Sequence, residues 1–300
     1  MWVSRSICTL AAMKTPHTSI ASSTILSHDL TGATWRALAS SILPPQLAQQ
    51  ATPAKEVEST ISVQWVRTQS ELREVQRLRF EVFAQEMGAQ LRTTLPGHDV
   101  DLFDDFCEHL LVRDERTGQA VGTYRLLTPV QAKRAGSYYA DVEFDLTRLR
   151  FLREQMVELG RSCVHPDHRH GGVIMVLWSA LAKFMQENQL RWMIGCASVP
   201  MKTASAGYGH EAASIWRRLM DQYAAPIEHH VRPRLPLPVE QLDQTMVVNP
   251  PALIKGYLRL GAKVLGVPAW DPDFGVADVP MLMCLDQMPA RYRKHLLEQS

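Results

Sequence analysis

Net charge is the first thing this chain has little of. Its 32 basic and 31 acidic side chains leave a formal charge of +1. The basic excess that marks nucleic-acid-binding chains is missing, so no nucleic-acid partner is expected. Cysteine pairs are missing too. Cys8, Cys107, Cys163, Cys196 and Cys284 are scattered, with no CxxC. That excludes a disulfide framework or a cysteine zinc site and suits free thiols in a reducing compartment. Long apolar runs are absent as well. The longest, Val173 to Met185, is interrupted by Ser179 and Lys183 and is too short to cross a bilayer. No internal repeat is visible. What the chain does have is hydrophobic residues, 46% of the total, enough for a sizeable core.

Residues 1–60 are rich in Ser, Thr and Ala, with no acid before Asp29, and Pro44-Pro45 and Gln49 to Pro53 have linker composition. They carry no secretory h-region with a cleavage site, although the composition has something of a transit peptide. The expectation is a loosely ordered extension, or a true start at Met13 or beyond. Organised structure is expected over 61–295. Ile61 to Val66 alternates as a strand. Ser70, with Glu71 and Glu74 behind it, can cap a helix that runs to about Met87 and stops at Gly88. Two apolar runs, His109 to Val112 and Ala120 to Leu127, flank Asp114 to Gln119 and predict a hairpin. A strand over Met156–Val164, a helix over Val173–Asn188, a strand over Trp192–Ala197 and helices over Ser214–Tyr223 and Pro251–Gly261 complete a mixed α/β domain around one sheet.

The segment Glu158 to Trp178 is the most informative. A strand ends at His165-Pro166, a polar loop holds Arg169, His170, Gly171 and Gly172, and an apolar helix begins at Val173. Free N–H groups and the positive end of a helix favour an anion, and a guanidinium adds a charge-assisted contact. The plainer alternative is an ordinary strand–turn–helix connection.

These residues resemble the central motif of the GNAT acyltransferases, whose loop after the fourth strand holds the pantetheine-pyrophosphate. A more specific likeness is to the branch that acylates amino acids with fatty acyl groups. It is carried by Leu78 to Phe83 with Glu86-Met87-Gly88, by Asp99 to Asp104 with Gly122 to Leu127, and by Glu158 to Val164. Acyl-homoserine-lactone synthases share that ordered set. The late segments Asn249 to Ala262 and Pro268 to Asp278 favour the ornithine N-alpha-acyltransferases over them. The resemblance implies a GNAT fold with a C-terminal extension. It implies a (3-hydroxy) fatty acyl donor on acyl carrier protein, ornithine as acceptor, lyso-ornithine lipid as product, and a cytoplasmic enzyme with transient inner-membrane contact. The loop departs from the common GNAT pattern at Val173-Ile174. That weakens a pyrophosphate grip and fits a donor arm with one phosphate.

Amide formation from a thioester needs a neutral amine, a stabilised oxyanion and a leaving thiolate that is protonated or accommodated. Glu158 is the expected proton acceptor. On a regular strand it would share a face with Gly160 and Ser162 and oppose Arg161, unless a bulge re-aims the arginine. The alternative is a Glu–Arg pair holding two strands. Tyr257, four residues before Gly261, is the candidate general acid that the resemblance implies, or else a packed helix tyrosine. Asp99, Asp101 and Asp104 could hold the acceptor's side-chain ammonium, or form a solvated acidic loop. Arg79 and Arg125 could bind its carboxylate or order those acids, and Arg161 belongs to the same group. Arg169, His170, Gly171, Gly172 and Val173 are the donor-phosphate candidates. Arg148, Arg150, Arg153, Arg169 and Lys183 could form a docking patch for the acidic carrier protein. His165, His168 and His170 lack metal-site spacing, so no metal and no resident cofactor are expected. Cys163 has no His–acid partner pattern and is read as a packed strand residue. The alternatives in function are an N-acyl amino acid or lactone-signal synthase, a CoA-dependent N-acetyltransferase, and a non-catalytic GNAT-like binding module.

Overall fold

The computed structural model describes residues 61–203 and 207–298; the expectation for 1–60 lies outside the described residues. In chain order the elements are β1 (Ile61–Trp65), α1 (Gln69–Phe80), β2 (Glu108–Asp114), β3 (Gln119–Leu127), α2 (Pro129–Ala135) and α3 (Ala140–Glu143). Then come β4 (Phe144–Asp145), β5 (Met156–Val164), α4 (Gly172–Glu187), β6 (Trp192–Pro200), α5 (His210–Tyr223) and β7 (Arg232–Pro233). The last are α6 (Ala252–Arg259), β8 (Lys263–Val264), β9 (Ala269–Asp271), β10 (Val276–Cys284) and α7 (Ala290–Glu298).

The strands form one mixed sheet in the order β1-β2-β3-β5-β6-β10-β8, with β9 also on β10. Every pairing in it is antiparallel except β5 with β6. The hairpin expected across Asp114 to Gln119 is β2–β3. The C-terminal part of the chain is woven into the sheet, since β10 pairs with β6 along all nine of its residues. Helix α4 lies on one face, with α7 against it, in a cluster that includes Val173, Leu177, Leu181, Tyr292 and Leu296. Helix α1 lies on the other face, where Leu78 and Val82 meet Cys163. Gly122 on β3 lets α4 seat, because a Cβ there would stand 2.4 Å from Val173 Cγ1.

Two details differ from the sequence expectation. The cap of α1 is Thr68, not Ser70: the Thr68 hydroxyl accepts from Glu71 N, and the Glu71 carboxylate accepts from Thr68 N. That reciprocal box needs a Glu or Gln three residues after the cap; Thr68 has Glu71, whereas Ser70 has Arg73. The helix also does not run on as α to Met87. It widens into a π-turn over Glu81–Glu86, with Met87 N donating to Val82 O and Ala89 N to Phe83 O. Gly88, at φ +78°, then reverses the chain.

Candidate active site

The site begins where two parallel strands part. β5 and β6 pair only through Met156–Glu158 and Trp192–Ile194. Gly195 permits the approach just before they separate, since a Cβ there would lie 2.7 Å from Leu159 O. Beyond that point β5 stays with β3 and β6 with β10. The gap holds a cavity of about 560 Å³, walled by Glu158 to Val164 on one side and Cys196 to Ser198 on the other.

The β3–β5 register decides which side chains reach it. Arg125 faces Gly160 and Thr123 faces Cys163, so the ladder shifts by one residue around Arg161 and Ser162. Arg161 takes the left-handed conformation, φ +50°, unusual for a residue with a Cβ. A bulge of this kind re-aims side chains. It puts Arg161 beside Glu158 and Arg125 on the α1 face, and Ser162 with Tyr124 on the α4 face. The Arg161 guanidinium lies between the rings of Tyr139 and Phe274, 5.1 and 4.9 Å from their centroids.

Glu158 is 6% exposed. Its carboxylate accepts from Tyr139 N and Ala140 N, both at 2.6 Å, where α3 begins. Burial pushes it up to about 7, against the pull of those two N–H groups and of Arg125. That is a carboxyl poised to take a proton near neutral pH. On the other face, Tyr257 of α6 meets Tyr124 with their hydroxyl oxygens 2.5 Å apart, and both line the cavity.

Beneath the α1 face, charges are matched. Arg79 donates to Asp99 Oδ2 at 2.8 Å and to both oxygens of Asp104 at 3.0 Å. Arg125 donates to Asp101 at 2.6 Å and Asp104 at 2.8 Å. Arg161 reaches Asp99 and Asp101, each at 3.1 Å. Gln76 adds a bond to Asp104 at 2.8 Å. Burial opposes ionisation of Asp104, but Arg79 and Arg125 hold it well below the usual carboxylate range. Three aspartates thus meet three arginines, and of these six only Arg125 and Arg161 line the cavity.

A second acidic group lies in the cavity wall. Glu143 of α3, Asp271 of β9 and Asp278 of β10 can each offer an oxygen within 4.8 Å of the others. Cys196 Sγ–H donates to Glu143, and the Ser198 hydroxyl to Asp278 at 2.6 Å. Burial pushes Glu143 and Asp278 up, and neighbouring carboxylates push the same way. No arginine or lysine is bonded to any of the three among the described residues. Such an array suits a cation, whether a metal ion or an ammonium group.

Comparison with known proteins fits this geometry. The family model for an acetyltransferase (GNAT) domain matches residues 78–179, from the end of α1 to the middle of α4. The L-ornithine N(alpha)-acyltransferase of Rhodobacter capsulatus is 34% identical over 255 residues, covering 77% of this chain and 93% of that protein. The protein of the same name from Brucella abortus is 32% identical, covering 78% and 87%. The chain belongs to the L-ornithine N(alpha)-acyltransferase family. Among solved structures, the AHL synthase LasI aligns with 79% of this chain and 95% of its own at 16% identity and TM-score 0.47.

Within this ornithine acyltransferase family member, the structure gathers Glu158, Arg125, Arg161 and Tyr257 around one cavity. It draws Arg79, Asp99 and Asp104 into the support behind them. In the loop before α4, His168, Arg169 and Gly171 line the cavity, and Gly171 takes φ +102°. The Val173 side chain is fully buried in the core, which leaves its backbone for any phosphate contact. His170 is exposed, its ring 6.3 Å from that of His168. Arg169 is engaged: its Nε donates to Val164 O at 3.0 Å and its two terminal nitrogens to Glu86, which the π-turn supplies. Four of the five basic residues expected to form one docking patch are split between the two ends of β5. Arg148, Arg150 and Arg153 precede β5 and Arg169 follows it, so nine residues of strand, roughly 30 Å, separate them. Arg153 is also taken up by Asp141. Cys163 is buried, and burial pushes its thiol up to about 12, which suits packing and not nucleophilic attack.

The reading from sequence missed Glu143, Asp271, Asp278 and Tyr124. One signal was present. Asp278 is the only charge in the apolar strand Val276–Cys284, where a charge calls for a reason.

Proposed function

We propose that this protein transfers a fatty acyl group, borne as a phosphopantetheine thioester on acyl carrier protein, to the α-amine of ornithine, giving a lyso-ornithine lipid. The observation that carries the reading is a buried carboxyl, Glu158, raised to about 7 in a cavity that also holds a phenol pair and an unneutralised acidic cluster.

Ornithine has two amines, and the site separates them by charge. Glu143, Asp271 and Asp278 hold the side-chain ammonium in its charged form. Arg161 and Arg125, the two members of the matched group that line the cavity, present the guanidinium N–H groups not used by the aspartates to the carboxylate. That orientation leaves the α-amine for Glu158. The reading moves the ammonium from Asp99, Asp101 and Asp104 to the cavity cluster, because the first three spend their charge on arginines. The neutral amine attacks the thioester carbon, its proton passes to Glu158, and the thiolate departs as the C–S bond breaks. Tyr257 supplies the proton to sulfur. The α4 N-terminus, with Gly171, Gly172 and Arg169, takes the single phosphate of the carrier arm. Arg169 must first exchange Glu86 for that phosphate. No described helix is long and apolar enough to cross a membrane; the enzyme works in the cytoplasm and releases an amphiphile that passes to the inner membrane.

The test is product identification by mass spectrometry. Purified protein is given 3-hydroxyacyl carrier protein or the matching acyl-CoA, with a mixture of ornithine, lysine, glutamine and glycine. An acyl-ornithine product formed faster from the carrier protein supports the reading. Acylation of another amino acid moves the acceptor, and faster transfer from CoA removes the carrier-protein donor.

A further inference from the structure

The Tyr124–Tyr257 contact is not explained by packing alone. Tyr124 sits on β3, 3% exposed, and Tyr257 on α6, far apart in sequence, yet their hydroxyl oxygens meet at 2.5 Å. Ser162 lines the cavity beside them, and its hydroxyl favours the ionised form of both phenols. The bulge at Arg161 brings it there: on a regular strand Ser162 would share the face of Glu158. All three hydroxyls border the cavity opposite Glu158. Three hydroxyls carry three protons, and a phenol that gives its proton to sulfur becomes an anion in a place where burial already opposes ionisation.

We propose that Tyr124 is a positioning residue for the leaving-group step, donating a hydrogen bond to the Tyr257 oxygen so that the Tyr257 proton is aimed at the departing sulfur and the phenolate left behind is stabilised. The step balances. The C–N bond forms as the C–S bond breaks, the amine proton goes to Glu158, and the Tyr257 proton goes to the thiolate. Transfer of one proton from Glu158 back to Tyr257 through water resets the site. Tyr124 keeps its own proton throughout. Ser162, on the same wall, offers a hydroxyl toward the Tyr257 phenolate.

The inference rests on the acyl-transfer reading above, and its test separates the two. Thiol release is followed colorimetrically for Tyr124→Phe and Tyr257→Phe, with one donor whose leaving group is an alkyl thiol and one whose leaving group is a much more acidic aryl thiol. An aryl thiolate departs without protonation. Tyr124→Phe is expected to lower kcat about 10- to 100-fold with the alkyl thioester at nearly constant KM, and less than about 3-fold with the aryl thioester. The double variant should be no worse than Tyr257→Phe, because the two act as a unit. Equal losses on both donors, or additive losses in the double variant, would overturn the relay and leave Tyr124 a packing residue. No loss on either donor would do the same. Failure of the ornithine reading shows elsewhere, in wild-type protein that releases thiol without preference for ornithine. Folding is checked independently by the unfolding midpoint of each variant.

Discussion

Two clusters of carboxylates lie within this one site, and they behave in opposite ways. Asp99, Asp101 and Asp104 are matched by Arg79, Arg125 and Arg161 through short bonds. Asp104 is accordingly held low. Glu143, Asp271 and Asp278 lie in the cavity wall and, among the described residues, are hydrogen-bonded to a thiol, a hydroxyl and backbone N–H groups, and burial pushes Glu143 and Asp278 up. The first cluster carries no surplus charge and so builds the wall. The second has no arginine or lysine bonded to it among the described residues, so a cationic substrate would be the partner that favours its charged form. An acidic motif in a sequence therefore says little until its cations are located.

The comparison breaks first at Asp104. Asp104→Asn leaves Arg79 buried without its bidentate partner, and removing one member of a buried pair costs about 3–5 kcal/mol. A fall of that size in denaturant unfolding is expected, with activity lost through unfolding. The pH dependence has a definite sign. The folded value for Asp104 lies below the unfolded one, so its contribution is complete above the ordinary carboxylate range and drains away as pH falls toward the lower folded value. A smaller and different effect is expected at Asp278. Asp278→Asn should raise KM for ornithine about 10-fold, equivalent to ~1.4 kcal/mol, while leaving the unfolding midpoint unchanged or higher, because a buried, uncompensated charge has been removed. An acceptor of the same length without the terminal amine should not feel the substitution. If Asp278→Asn unfolds the protein as Asp104→Asn does, the two clusters are not distinct.

Much of the frame was legible in the sequence, for physical reasons. The β2–β3 hairpin followed from two apolar runs around a Gly118 turn, and β5 was bounded by its own apolar pattern and Pro166. Helix α4 announced itself through glycines before an apolar run. Glu158 and Tyr257 stand out through the resemblance to the GNAT motifs and not through local pattern. The face of Arg161 could not be read, since alternation alone points it away from Glu158 and only the bulge reverses that. The acidic cluster could not be read either. Glu143, Asp271 and Asp278 come from three elements, and β9 and β10 bring the last two beside α3 only after the C-terminal segment joins β6. Tyr124 was hidden for the same reason: its partner on α6 lies 133 residues away.

The most direct test of the account is the pH dependence of kcat/KM for ornithine, measured on the wild type and on Glu158→Gln. If Glu158 is the proton acceptor, the wild-type rate rises with pH through an inflection at about 7. Glu158→Gln should lose that inflection and about 10²–10⁴ in rate while keeping the wild-type unfolding midpoint. A Glu158→Gln enzyme that retains both the inflection and the rate would contradict the account.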